Sequence, residues 1–199
     1  MPNTKTNYRD GDAYTRLSKR AGYRSRASLK LKEILKKDIS IKKGMSIIDL
    51  GSFPGGWTQV VKESVGKKGT VVAVDIQNMR EIKGTFFIHK SITELEDIDF
   101  EEFREKVPFD LVLSDMAPNI SGIRETDDAQ MIYLVENVLS VIDKFLKKGG
   151  SVLIKVFQGE SLDYTRNALS GRFNTCKVNK PSASRSNSKE TYVIGKEFK

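Results

Sequence analysis

The chain has 199 residues, 38% of them apolar and 30% charged, a balance that suits one water-soluble domain with a real core. No run approaches the ~20 consecutive apolar residues of a membrane helix, and a single cysteine and a single histidine, Cys176 and His89, exclude an internal disulfide and a cysteine- or histidine-built metal centre. The net charge of +8 sits at the ends: residues 1–43 hold 13 Lys/Arg against 4 Asp/Glu, residues 172–199 hold 7 against 2, and the middle is net acidic.

Residues 1–22 are polar and aperiodic and read as a basic arm, with residues 23–199 forming one domain. Met1-Pro-Asn-Thr-Lys5 carries no apolar signal segment, so a reducing cytoplasm is the expected compartment. Tyr8, Tyr14 and Tyr23 alternate with Arg9, Arg16, Arg20 and Arg24, a mixture that suits base stacking with phosphate contact, or tyrosines that simply pack the arm down. A helix is expected over Ser25–Lys37. Strands and helices then alternate: strand Met45–Leu50, helix Trp57–Val65, strands Thr70–Ile76 and Thr85–Ile88, helix Phe100–Lys106, strand Phe109–Ser114. A long helix over Asp128–Leu146 is expected to stop at Lys147-Lys148-Gly149-Gly150, followed by strand Ser151–Phe157 and helix Leu162–Leu169. Strands Phe173–Asn179 and Thr191–Ile194 close the chain around the polar loop Lys180–Lys189. With no helix between them they must be antiparallel to each other, as a hairpin-like pair at one sheet edge.

Apolar strands without alternation are buried on both faces, as in parallel sheets. The expected fold is therefore α/β and Rossmann-like: a mostly parallel sheet with an antiparallel edge strand and helices on both faces. Ligands in such sheets bind at the carboxyl ends of the strands. There the first strand runs into Asp49-Leu50-Gly51-Ser52-Phe53-Pro54-Gly55-Gly56-Trp57, where glycines permit a sharp turn and close ligand approach. Asp75 ends the second strand, where a carboxylate can accept both ribose hydroxyls of an adenosine. A dinucleotide reading needs G-x-G-x-x-G, and the spacing Gly51-x-x-x-Gly55-Gly56 lacks it. S-adenosylmethionine has no phosphate to cradle, and its sulfonium and amino cations suit Asp49, Asp75 and Asp115. Trp57 either packs its helix on the sheet or contacts the cofactor through its backbone.

Five segments then coincide in order with one family. Ser25-Arg-Ala-Ser-Leu-Lys30-Leu-Lys-Glu-Ile34, Asp49-Leu-Gly51 with Pro54-Gly-Gly-Trp57, Ser114-Asp-Met-Ala-Pro-Asn-Ile-Ser-Gly122, Lys155-Val-Phe-Gln-Gly159 and Ser188-Lys-Glu190-Thr-Tyr192 resemble the FtsJ ribosomal RNA 2′-O-methyltransferases. The likeness spans Asp10 to the C-terminus. It implies a seven-stranded methyltransferase sheet, S-adenosylmethionine as cofactor, and a Lys-Asp-Lys-Glu tetrad that falls on Lys30, Asp115, Lys155 and Glu190. Chemistry agrees: a ribose hydroxyl is a poor nucleophile and needs a general base. The single histidine is poorly placed, which leaves Lys155, with Asp115 as orienter and Lys30 and Glu190 as positioning partners. The family also has an acidic residue that reads the adenine amino group. Here Ser91 stands at that point and accepts one hydrogen bond without adding charge. Ser52-Phe53 replaces the small residues expected before Pro54.

The expected substrate is a uridine ribose of large-subunit ribosomal RNA, as naked RNA or in the particle, with transfer RNA and the messenger RNA cap as alternatives. The two basic ends fit such a polyanion through counterion release. A non-catalytic assembly factor on the same fold and a nucleotide-dependent dehydrogenase are the competing functions. No metal, no membrane and a monomeric state are expected.

Overall fold

The structure, a computed structural model, describes residues 13–184 and 188–199, so the expected contacts of Tyr8 and Arg9 lie outside the described residues. The first element is a helix, α1 (Ala13–Arg20), where the sequence reads as aperiodic arm. Within it buried Ser18 returns its hydroxyl to the Thr15 carbonyl, and from outside it the Arg26 guanidinium stands 6.0 Å from the Tyr14 ring. A residue pattern without apolar period conceals such a helix.

Helix α2 (Ala27–Lys37) leads into strand β1 (Ser46–Leu50), helix α3 (Gly56–Val65), and strands β2 (Thr70–Asp75) and β3 (Phe86–His89). A short 3-10 turn, Ile92–Glu94, follows, and a second 3-10 segment, Asp97–Lys106, stands where a helix over Phe100–Lys106 was expected. The second is held by aromatic packing: the Phe100 ring meets Phe103, Phe109 and Phe145 edge-on at 5.9, 5.6 and 4.7 Å. Strand β4 (Phe109–Ser114), helix α4 (Arg124–Phe145), strand β5 (Leu146–Phe157), helix α5 (Glu160–Arg172) and strands β6 (Phe173–Asn179) and β7 (Glu190–Phe198) complete the chain. Helix α4 begins four residues before the expected start because its first turn is charged and carries no apolar signal. The expected stop Lys147–Gly150 lies inside β5. There the β4–β5 ladder shifts register between Phe109 and Leu111, and Gly149 takes a φ of 76°.

The seven strands lie in the order β3-β2-β1-β4-β5-β7-β6. β1 through β5 are parallel, and the reversed strand is β7, antiparallel to both β5 and β6. The closing hairpin thus caps one edge as expected, with β7 one place in and β6 outermost. Strand order reverses between β1 and β4, which puts the ligand crevice at their carboxyl ends.

Helices cover both faces. Ile48, Leu50, Val72 and Val74 pack with Met131, Val135 and Ile142 of α4 on one side. Ile47, Leu111 and Leu153 pack with Leu31 and Ile34 of α2 and Val61 of α3 on the other. Each such fully buried side chain contributes roughly 1.5–3 kcal/mol by removal of apolar surface from water. Among the described residues no helix is long and apolar enough to cross a membrane.

Candidate active site

At the switch point a cleft of about 390 Å³ opens, lined by Gly51, Phe53, Asp75, Ser91, Asp115 and Tyr133 among others. Gly51 follows β1 with φ 73°, and a Cβ there would run into the Met116 side chain, so the glycine is required both by backbone and by space. The Asp75 carboxylate, in the cleft lining, accepts the Phe53 and Gln77 amides at 2.8 and 2.7 Å, one on each oxygen, which fixes the cleft wall and leaves each oxygen further acceptor capacity. Ser91 lies in the cleft, but its hydroxyl already caps the short 3-10 turn through the Thr93 amide at 3.3 Å and meets the Thr93 hydroxyl at 2.8 Å. Phe53 is 46% exposed at the mouth, so this departure from small residues adds an apolar surface to the cleft.

Three of the expected cofactor residues lie behind the cleft rather than on it. Asp49 is 1% exposed; one carboxylate oxygen accepts the Thr58 hydroxyl at 2.6 Å, and the other, Oδ1, is buried with no partner. Burial, with Asp115 and Asp75 adding like charge, pushes its carboxyl up to about 7. Gly55 enters α3 with φ 107°, and Trp57 is 2% exposed, its indole N–H on the Ala27 carbonyl at 2.9 Å. The Trp57 side chain is therefore a packing element joining α2 to α3.

The four residues implied by the resemblance lie together as two contacting pairs. Lys155 Nζ donates to the Asp115 carbonyl at 2.5 Å and lies 3.3 Å from its Oδ1. Lys30, from α2, pairs with Glu190 at the start of β7, across 160 residues of sequence. Register explains the assembly: Lys155 stands opposite Tyr192 and Phe157 opposite Glu190. Residues 190 and 192 share one face of β7, so both reach the side on which Lys155 points.

Tyr192 is the residue that sequence reasoning missed. Its hydroxyl approaches Asp115 Oδ1 at 3.4 Å, and its ring packs on Trp57 at 5.8 Å. The period-two spacing Glu190-x-Tyr192 was the available signal. Burial raises the Asp115 carboxyl, against the pull of Lys155 and Lys30. Burial also acts to raise Glu190, but Lys30, Lys155 and the Ser188 hydroxyl together hold it below its ordinary value. The Tyr192 hydroxyl lies well above its usual range through burial and the charges of Asp115 and Glu190.

A family model described as FtsJ-like methyltransferase matches residues 23–198. The chain belongs to this family. Among relatives of this FtsJ-like chain, the ribosomal RNA large subunit methyltransferase E of Hahella chejuensis is 44% identical over 97% of this chain and 94% of its own length. The protein of the same name from Cellvibrio japonicus is 45% identical over 94% of this chain and 89% of its own. A Plasmodium falciparum structure bearing the name of a ribosomal RNA methyltransferase superposes with TM-score 0.79 at 27% identity, covering 88% of this chain and 98% of that one. A Thermotoga maritima SAM-dependent O-methyltransferase, at TM-score 0.59 and 17% identity over 87% of this chain and 65% of that one, shares the fold.

In this FtsJ-like chain, the helix that carries Lys30 is stitched to the hairpin that carries Glu190. Buried Asp38, just past α2, accepts Lys177 and Asn179 of β6. Glu33 accepts the Ser182 amide and hydroxyl at 2.9 and 2.7 Å, and Arg26 donates to the Ala183 carbonyl at 2.7 Å. The turn after Lys155 is equally constrained. Gly159 has φ 138°, and a Cβ there would come within 3.0 Å of an oxygen of Asp128, whose carboxylate accepts the Ser161 hydroxyl at 2.8 Å and, in the first turn of α5, the Ser161 amide at 3.3 Å.

Proposed function

We propose that this chain methylates the 2′-oxygen of a ribose in large-subunit ribosomal RNA, a uridine ribose, with S-adenosylmethionine as donor. The observation that carries the reading is the contact of Lys155 with Asp115 at the lip of the cleft, where one residue faces both the cofactor space and the base. The cofactor fits the residues present. Gly51 and Asp75 both line the cleft, Asp75 can accept ribose hydroxyls, and the unpartnered buried oxygen of Asp49 adds negative potential that suits an amino or sulfonium cation. When bound, the cofactor supplies an electrophilic methyl group on a sulfonium.

The chain's own residues handle the nucleophile. Lys155 Nζ takes the proton of the 2′-hydroxyl as the free amine, which gives the oxygen its nucleophilicity. Asp115 receives Lys155 on both its carbonyl and its carboxylate, fixing Nζ against the cleft. Lys30 and Glu190 neutralise each other and hold the hairpin start beside Lys155. Tyr192 braces Asp115 from the β7 side. The names of the relatives and the basic ends of the chain support ribosomal RNA as the polyanion. The same features support a cytoplasmic enzyme acting on the assembled particle or its RNA.

Mapping ribose methylation on large-subunit RNA in cells with and without the gene tests the reading. One missing 2′-O-methyl group, restored by the wild-type gene and not by Lys155→Ala, is expected. An unchanged methylation map would refute it.

A further inference from the structure

The loop between Asp115 and α4 carries a feature that proton transfer does not use. Ile120 and Ile123 expose 63% and 60% of their surface, and neither lines the cofactor cleft, whose wall on this loop ends at Ala117. The loop is nevertheless held in place. Asp127 accepts the Ser121 amide at 2.7 Å, the Ser121 hydroxyl at 2.8 Å and the Gly122 amide at 3.3 Å, and these donors hold its carboxyl below the usual range. Two isoleucines are thus fixed facing water, which apolar burial alone does not favour.

Their loop begins at the residue that holds Lys155. The loop starts at Asp115, and Lys189 lies close enough to Asp127 to act on its charge. The Gln158 amide donates to the Lys189 carbonyl at 2.9 Å, so the loop around Ile120 and Ile123, the turn after Lys155 and the start of β7 gather at one rim. Exposed Lys189 and Arg124 place positive charge on the same rim, Arg124 standing 3.7 Å from Asp128. Lys155 itself is only 7% exposed. A nucleotide splayed out of its stack can enter such a recess, and its uncovered base then presents an apolar face while its phosphates need cations.

Resting on the proposed ribose methylation, we infer that Ile120 and Ile123 form the platform on which the unstacked base of the target nucleotide packs, with Lys189 and Arg124 holding its flanking phosphates. The platform accepts any base face and acts on substrate binding, leaving proton transfer to Lys155.

The test uses the full chain and large ribosomal subunits from cells lacking the gene. For the double variant Ile120→Ala/Ile123→Ala, KM for the subunits is expected to rise roughly tenfold to a hundredfold, the range for one lost base-stacking contact. The kcat should stay within about threefold, and Ile120→Phe should keep KM near the wild-type value. Binding of S-adenosylhomocysteine and the thermal midpoint serve as controls for folding. A photo-crosslinker in place of Ile120 is expected to attach to the methylated nucleotide or its neighbours. An unchanged KM in the double variant, or a crosslink to a ribosomal protein, overturns the inference. Absence of ribose methylation by the wild-type chain on these subunits is a different result, and it overturns the proposed function instead.

Discussion

Two groups of carboxylates at the same sheet end are treated in opposite ways. Asp49 and Asp75, at the ends of β1 and β2, form no ion pair among the described residues. One is bonded to a hydroxyl and the other to backbone amides, and Asp49 keeps one oxygen buried and unsatisfied. Asp115 and Glu190, at the ends of β4 and the start of β7, each face a lysine. A buried carboxylate without a cation carries a desolvation cost that a bound cation relieves, whereas a paired one is already neutralised. The first group is built to receive positive charge from outside, and the second to hold the chain's own amines in place. Binding and proton transfer thus draw on different carboxylates along one sheet end, and meet at Asp115, which lines the cleft and holds Lys155.

The largest effect expected from breaking this division is on the paired side. Lys155→Ala should lower kcat for methyl transfer about a thousandfold, within the range of a lost general base, while S-adenosylhomocysteine affinity changes less than about twofold. Lys155→Arg should not rescue transfer, because a guanidinium stays protonated. Tritiated methyl transfer and calorimetry read the two quantities, and a parallel loss of both would merge the two groups.

On the unpaired side the expected effect depends on pH. The Asp49 carboxyl stands at about 7 in the fold against an ordinary 3.8, so folding takes up a proton between those values. Its contribution is fully present below about pH 4 and is lost as pH rises through 7. Asp49→Asn should therefore flatten that decline and exceed the parent in stability at pH 8 by up to roughly 3–4 kcal/mol. Cofactor affinity should fall about tenfold at the same pH. Denaturant unfolding at pH 5 and 8 checks the sign, and a variant less stable at pH 8 than the parent would reverse it.

Gly159→Ala should cost about 2–3 kcal/mol, since the residue must leave a conformation open to glycine and press on Asp128. Lys155 precedes it by four residues, so transfer should decline with the denaturation midpoint while the β1–β2 side keeps its cofactor affinity. The smallest effect is Glu190→Gln. It leaves Lys30 with a neutral partner and should lower kcat about tenfold, with stability changing by about 1 kcal/mol. Since Lys30, with Lys155 and Ser188, holds the folded Glu190 carboxyl below its ordinary value against burial, its contribution is present above the unfolded value and lost as pH falls through the folded one. The variant should thus differ least from the parent in acid.

The alternation of apolar runs and helical segments made the parallel sheet legible, because strands buried on both faces must be continuously apolar. Asp75, Gly51 and Asp115 could be placed on the cleft because strand ends and a left-handed glycine are local features. Trp57 could not be assigned from sequence, since packing and cofactor contact ask for the same residue, and the fold gives its side chain to Ala27 and Tyr192. Ser91 was found in the cleft, yet its hydroxyl is engaged by its own turn, a competition no motif reveals.

By itself the sequence determined the kind of sheet, the glycine turn at its switch point, the basic ends and the residue types that proton transfer requires. Tertiary structure alone decided the α1 helix, the place of β7 between β5 and β6, the anchoring of α2 by Asp38 and Glu33, and the inclusion of Tyr192. The physical reason is range. Periodicity and turn chemistry act over a few residues, whereas Lys30 meets Glu190 across 160 residues only because strand register and helix docking bring them together.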